Sequence, residues 1–136
     1  MDEEIISRWN SRVSSDDKVI FLGDFCFPRR EKTVEYYLGR LNGDIIFIKG
    51  SHDGCLNTII TSMIIKYGGI DWWCQHEPVL KYSYNLCGHV HERWRTWKNH
   101  DKIAINVGTD QWNFYPITID EILKVVNDAP EGYNKY

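Results

Sequence analysis

Apolar runs in this chain repeatedly end in residues that bind metal or move protons. Val19-Ile20-Phe21-Leu22 runs into Gly23-Asp24, and Ile45-Ile46-Phe47-Ile48 into Gly50-Ser51-His52-Asp53. Trp72-Trp73-Cys74 runs into Gln75-His76, and Leu86-Cys87 into Gly88-His89-Val90-His91. The first two runs are unbroken and rich in β-branched and aromatic residues, which predicts strands at 18–22 and 44–49 covered on both faces. Before them, Ile5, Ile6, Trp9 and Val13 recur at helical spacing and predict a helix over residues 2–13. Its acidic start, Asp2-Glu3-Glu4, suits the positive end of the helix dipole. Ser14-Ser15-Asp16-Asp17 reads as a turn. A second helix is expected at about 30–41, after Pro28, with Val34, Tyr37, Leu38 and Leu41 on one side. Asn42-Gly43 then marks a turn.

The strand–helix–strand order predicts a right-handed parallel crossover. The loops after both strands then open at one edge, bringing Asp24 near Ser51-His52-Asp53. Ligands bind at the carboxyl ends of strands in open α/β sheets, so the placement is physically sensible. The second half changes character. Residues 58–67, 70–75, 82–87 and 102–107 look like strands joined by short loops. A short helix is expected from Asp120 to about Asn127, capped by Thr118 or Asp120. From Asp128 to Tyr136 a loose tail is expected. The 136 residues read as a single α/β domain.

Composition narrows the classes. The formal net charge of −3 gives no general attraction to nucleic acid or to an anionic membrane. No apolar stretch approaches the roughly 20 residues of a membrane span, and the acidic N-terminus is not a signal peptide. A cytoplasmic protein with free thiols is expected. Cys26, Cys55, Cys74 and Cys87 form no C-x-x-C pair. Cys74 and Cys87 each lie two residues before a histidine, so in extended chain they share its face. A thiolate ligand is one reading, and a small buried side chain the favoured one.

The residue types at the junctions suit one chemistry. Asp24 offers a carboxylate that can bridge cations. His76, His89 and His91 offer imidazoles suited to zinc, iron, manganese or nickel. His89 and His91 are two apart, so both face one way from an extended segment. Asp53 could hold the His52 imidazole and fix its tautomer. A metal-rich pocket with an additional histidine fits hydrolysis of a phosphate ester. The cation acidifies water and draws charge from the phosphoryl oxygens, and the histidine protonates the leaving oxygen.

The series Gly-Asp, Gly-x-His-Asp, a lone His and Gly-His-x-His resembles the calcineurin-like metallophosphoesterases. Ile105-Asn106-Val107-Gly108-Thr109-Asp110-Gln111-Trp112-Asn113-Phe114-Tyr115-Pro116-Ile117 also looks like the closing segment of their small bacterial and phage members. The resemblance runs from Glu4 to about Leu123. It implies a β-sandwich of two mixed sheets flanked by helices, with a dinuclear site at the strand ends. It implies Asp24 as the bridging ligand, His76 and His89 on the second metal and His91 on the first. His52 would be the general acid, supported by Asp53.

The chain departs from that pattern twice. The family opens with a strand ending in Asp-x-His, which has no counterpart before the first helix. Met1-Asp2-Glu3 falls where relatives carry a similar step in the following helix, so an N-terminally truncated domain is expected, through a misassigned or alternative start, a true truncation, or a partner that supplies the missing part. Ser51 replaces the family's asparagine, a weaker ligand position. One metal rather than two is therefore expected, and a catalytically inactive binding or regulatory module is the alternative. A truncated sheet would leave a face for a homodimer or another partner to cover.

Other motifs are weaker. Arg93-Trp94-Arg95-Thr96-Trp97-Lys98 interleaves basic and aromatic residues, which could contact nucleic acid, but reads first as a hairpin with aromatic cross-strand packing. His91-Glu92 begins like H-E-x-x-H, yet Arg95 stands at the second histidine position, which excludes that metalloprotease motif.

Overall fold

The structure, a computed structural model, describes residues 2–23, 34–50, 59–79, 81–90 and 93–126. Helix α1 spans Asp2–Arg12, close to expectation. Its stripe is buried at Ile6, Trp9 and Val13. Strands β1 (Lys18–Phe21) and β2 (Asp44–Phe47) pair in parallel, as the crossover order predicted. The described part of the helix between them, α2, is Val34–Arg40. Tyr37 is buried, whereas Leu38 stands 38 % exposed. Leu38 therefore does not belong to the apolar side expected of it. One residue beyond Tyr37 turns it about 100° around the helix, out of the packed stripe.

The second half forms a five-stranded mixed sheet in the order β3-β4-β5-β7-β6. Its strands are β3 (Ser62–Tyr67), β4 (Ile70–Gln75), β5 (Tyr84–Cys87), β6 (Thr96–Asn99) and β7 (Lys102–Asn106). β3 and β4 make a tight hairpin through Gly68-Gly69, with φ of +62° and +74°. Positive φ at both central positions matches the right-handed twist of the strands, and glycine adopts it without a Cβ clash. β4, β5 and β7 run parallel, so their carboxyl ends lie side by side. β6 returns antiparallel to β7. This bears out the hairpin reading of 93–98, but Trp97 faces Ala104 rather than another aromatic ring.

The core lies between the two sheets. Leu22 and Ile48 from the first pack with Trp72, Cys74, Leu86, Ile103 and Ile105 from the second, and with Ile122. Ile122 belongs to α3 (Ile119–Val125). Thr118 caps that helix: its hydroxyl accepts from the Glu121 N–H at 3.1 Å while Glu121 reaches back to the Thr118 N–H. Of the two caps expected, Thr118 is therefore the one used. On the far side of the first sheet, Trp9 of α1 meets Phe21, which meets Phe47, at centroid separations of 6.2 and 6.0 Å. Trp9 also donates its indole N–H to the Asn42 carbonyl at 2.9 Å, fastening α1 to the turn before β2. The tail predicted from Asp128 lies outside the described residues.

Candidate functional site

The sequence placed its polar junctions at strand ends, and four of those ends meet. The His76 imidazole, just past β4, donates from Nδ1 to the Leu22 carbonyl past β1 at 2.7 Å. A carbonyl only accepts, so Nδ1 carries the proton and Nε2 carries the lone pair in the neutral ring. A Cβ on Gly23 would stand 2.5 Å from His76 Nδ1 and 2.6 Å from the Gly50 Cα. Glycine at 23 is thus required twice, by this approach and by its φ of +93°. Gly88, past β5, lies against the same group: its Cβ would meet the Leu22 carbonyl oxygen at 3.3 Å.

His89 completes the described part of the site. Its Nδ1 stands 3.2 Å from His76 Nε2, with the rings nearly perpendicular at 76° and centroids 5.0 Å apart. Two nitrogens about 2.0–2.1 Å from one cation, at angles between octahedral and tetrahedral, stand about 2.8–3.4 Å apart. The observed separation therefore fits two neighbouring ligands of one cation. A hydrogen bond from His89 Nδ1–H to the His76 lone pair gives the same contact, and a cation would displace that proton. The backbone bond at His76 Nδ1 is the partner that commonly fixes the tautomer and ring orientation of a ligating histidine.

The backbone at His89 is unusual. Its φ is +65°, and the Val90 N–H donates to the Gly88 carbonyl at 2.7 Å. Together these make a γ-turn centred on a histidine with positive φ, the rarer and more strained of the two γ-turn forms. The extended chain expected at His89 is therefore corrected at that residue, while His91 lies outside the described residues. His89 reaches His76 from a turn, and strand alternation does not set its direction. Strain of this kind collects at functional sites, where surrounding structure holds it in place.

Both described cysteines lie away from ligand chemistry. Cys74 and Cys87 are free and fully buried. Burial pushes each thiol up to about 12, so neither is a thiolate at neutral pH. The small buried side chain is the correct reading of both. Cys26 and Cys55 lie outside the described residues, as do Asp24, Ser51, His52, Asp53 and His91. Among the described residues no group of three or more His, Cys, Asp or Glu side chains could hold a metal ion. Of the predicted ligands, His76 and His89 are described and are brought together.

The basic and aromatic segment is spent largely on the fold. Trp97 is 8 % exposed. The Arg95 guanidinium lies over the Trp112 ring at 4.2 Å and donates to the Gln111 carbonyl. No helix among the described residues is long and apolar enough to cross a membrane.

No protein-family model matches the sequence. The fold is similar to the crystal structure of the protein of unknown function AQ665 from Aquifex aeolicus. That likeness has a TM-score of 0.68 at 21 % identity, over 92 % of this chain and 84 % of that one. The uncharacterized protein MJ1445 of Methanocaldococcus jannaschii is 30 % identical over 135 residues, 93 % of this chain and 75 % of the relative. By that identity and coverage the chain belongs to the family of MJ1445.

Proposed function

We propose that the chain is a metal-dependent phosphoesterase of the calcineurin-like type, built as a metallophosphoesterase β-sandwich and acting on phosphomono- or phosphodiesters. The observation that carries the reading is the meeting of His76 and His89 at 3.2 Å over the glycine-lined strand ends, with His76 oriented by the Leu22 carbonyl. His76 and His89 would hold one divalent cation (manganese, iron, zinc or nickel), with Asp24 and His91 as the further ligands. Such a cation supplies Lewis acidity toward phosphoryl oxygens and lowers the pKa of bound water. Gly23 and Gly88 let backbone crowd the His76 imidazole, and Gly23 also lets Gly50 come close. His52, steadied by Asp53, protonates the leaving oxygen. Ser51 contributes little as a ligand. The buried, unreactive thiols of Cys74 and Cys87 suit a reducing cytoplasm.

The second reading, an inactive binding or regulatory module, is favoured by Ser51, a weaker ligand position than the asparagine of the calcineurin-like pattern. A partner or second copy pairing along β1 belongs to either reading, since among the described residues β1 pairs only with β2. The test is hydrolysis of bis-p-nitrophenyl phosphate by purified protein with manganese, with metal content measured in parallel. Turnover that disappears in Asp24→Asn and His89→Ala supports the enzyme. One equivalent of bound metal with no turnover under any divalent cation leaves the binding module instead.

A further inference from the structure

The outer face of the five-stranded sheet, turned away from the core and outside the histidine site, carries two buried polar atoms with unmet demand. Asn85 on β5 is 1 % exposed and Trp97 on β6 is 8 % exposed. Among the described residues, Asn85 Oδ1 and Trp97 Nε1 have no hydrogen-bond partner. One is an acceptor and the other a donor. Leaving either unpaired in the interior is unfavourable, because each gives up water without gaining a partner.

Register sets the two on either side of one residue. Asn85 and Trp97 both pair with Ala104, Asn85 from the β5 side and Trp97 from the β6 side. Residues in register across a sheet share a face, so Asn85, Ala104 and Trp97 form one row. The Asn85 Nδ2 donates to the Tyr82 and Ile103 carbonyls at 2.7 and 3.1 Å. These bonds fix the amide's orientation, with nitrogen and oxygen distinguished, and hold it over the β5–β7 seam beside Ala104. Trp97 lies on the last strand of the sheet. Ala104 itself is 0 % exposed, although a methyl group cannot cover its own backbone. Its side chain is the shortest of the three in the row.

We infer that a gap over the Ala104 methyl, between these two side chains, binds one ordered water, which accepts from Trp97 Nε1–H and donates to Asn85 Oδ1. A water is the smallest species with both functions, and buried waters of this kind satisfy otherwise unpaired polar groups. It would tie β5 to β6 across the intervening strand, behind the strand that leads into His89.

Solution NMR on the wild-type protein tests this directly. The Trp97 indole proton, assigned by triple resonance, is expected to show a dipolar cross-peak of rotating-frame sign to a long-lived water. In Ala104→Val the added methyl groups fill the gap, and that cross-peak is lost. A crystal structure at high resolution should place one oxygen within about 3.2 Å of both atoms. A solvent-protected indole without the water cross-peak overturns the proposal. So does a direct Asn85–Trp97 bond in the crystal, or a cross-peak that survives Ala104→Val. If Ala104→Val does not fold, the wild-type spectrum and the crystal still decide.

Discussion

At the scale of single residues, His89 separates function from structure most sharply. A histidine held at φ +65° pays strain that glycine would not. His89→Gly is therefore expected to keep the stability of the fold or raise it by up to ~1 kcal/mol in urea unfolding. The same substitution should lower metal affinity at least ~10-fold, read by calorimetry with manganese. A large loss of stability would mean that the imidazole is there for packing. Gly23 behaves in the opposite way. Gly23→Ala sets a Cβ 2.5 Å from His76 Nδ1 at a φ of +93°, so it should cost at least ~2 kcal/mol and disturb the histidine pair. The thiols of Cys74 and Cys87, pushed up to about 12 by burial, should react with iodoacetamide only as fast as the chain opens. Peptide mapping after native alkylation checks that.

At the scale of elements, α3 shows what local sequence controls. Its capping box joins Thr118 and Glu121, and Thr118→Ala should cost about 1 kcal/mol. The Glu121 carboxyl is lowered from its ordinary value of 4.5. Desolvation acts on it most strongly and in the raising direction, but is outweighed by the bonds from Thr118 and the charge of Arg12. A lowered folded pKa gives stability that is present above 4.5 and lost as pH falls through the folded value. The acid limb of a pH–stability profile should therefore shrink in Thr118→Ala.

Much of this was legible before the structure. Helix α1, the parallel β1–β2 pair, the β3–β4 hairpin and the Thr118 cap follow from periodicity and turn chemistry, which are local. The convergence of Gly23, Gly50, His76 and Gly88 was legible because strand ends in a parallel arrangement share an edge. The turn at His89 was not. Gly-His-x-His has the same composition whether extended or folded back, so nothing local marks the turn at His89. Leu38 was misplaced for a similar reason: an apolar residue at the margin of a helical stripe is buried only if a neighbour reaches it.

At the scale of the whole molecule, the metal reading predicts linkage between ligand and fold. A cation that binds the folded chain alone, at about 100 times its dissociation constant, adds about 2.7 kcal/mol. For a domain of this length that corresponds to a rise in Tm of roughly 10 °C, reversed by EDTA. Differential scanning calorimetry with and without manganese measures it, and an unchanged Tm at saturating metal would count against the site.

The hydrogen bond from His76 to Leu22 gives that linkage a direction. Leu22 follows a strand of one sheet and His76 follows a strand of the other. The proton that fixes the imidazole's tautomer is therefore lodged across the seam between the sheets. Loosening the seam, for instance by Ile48→Ala in the shared core, withdraws the acceptor and should weaken cation binding even though Ile48 is not a ligand. Reciprocity requires the converse: a bound cation presses the sheets together and slows amide exchange along β1 and β2. Affinity at the histidines thus becomes a gauge of how firmly the two halves of the molecule are docked.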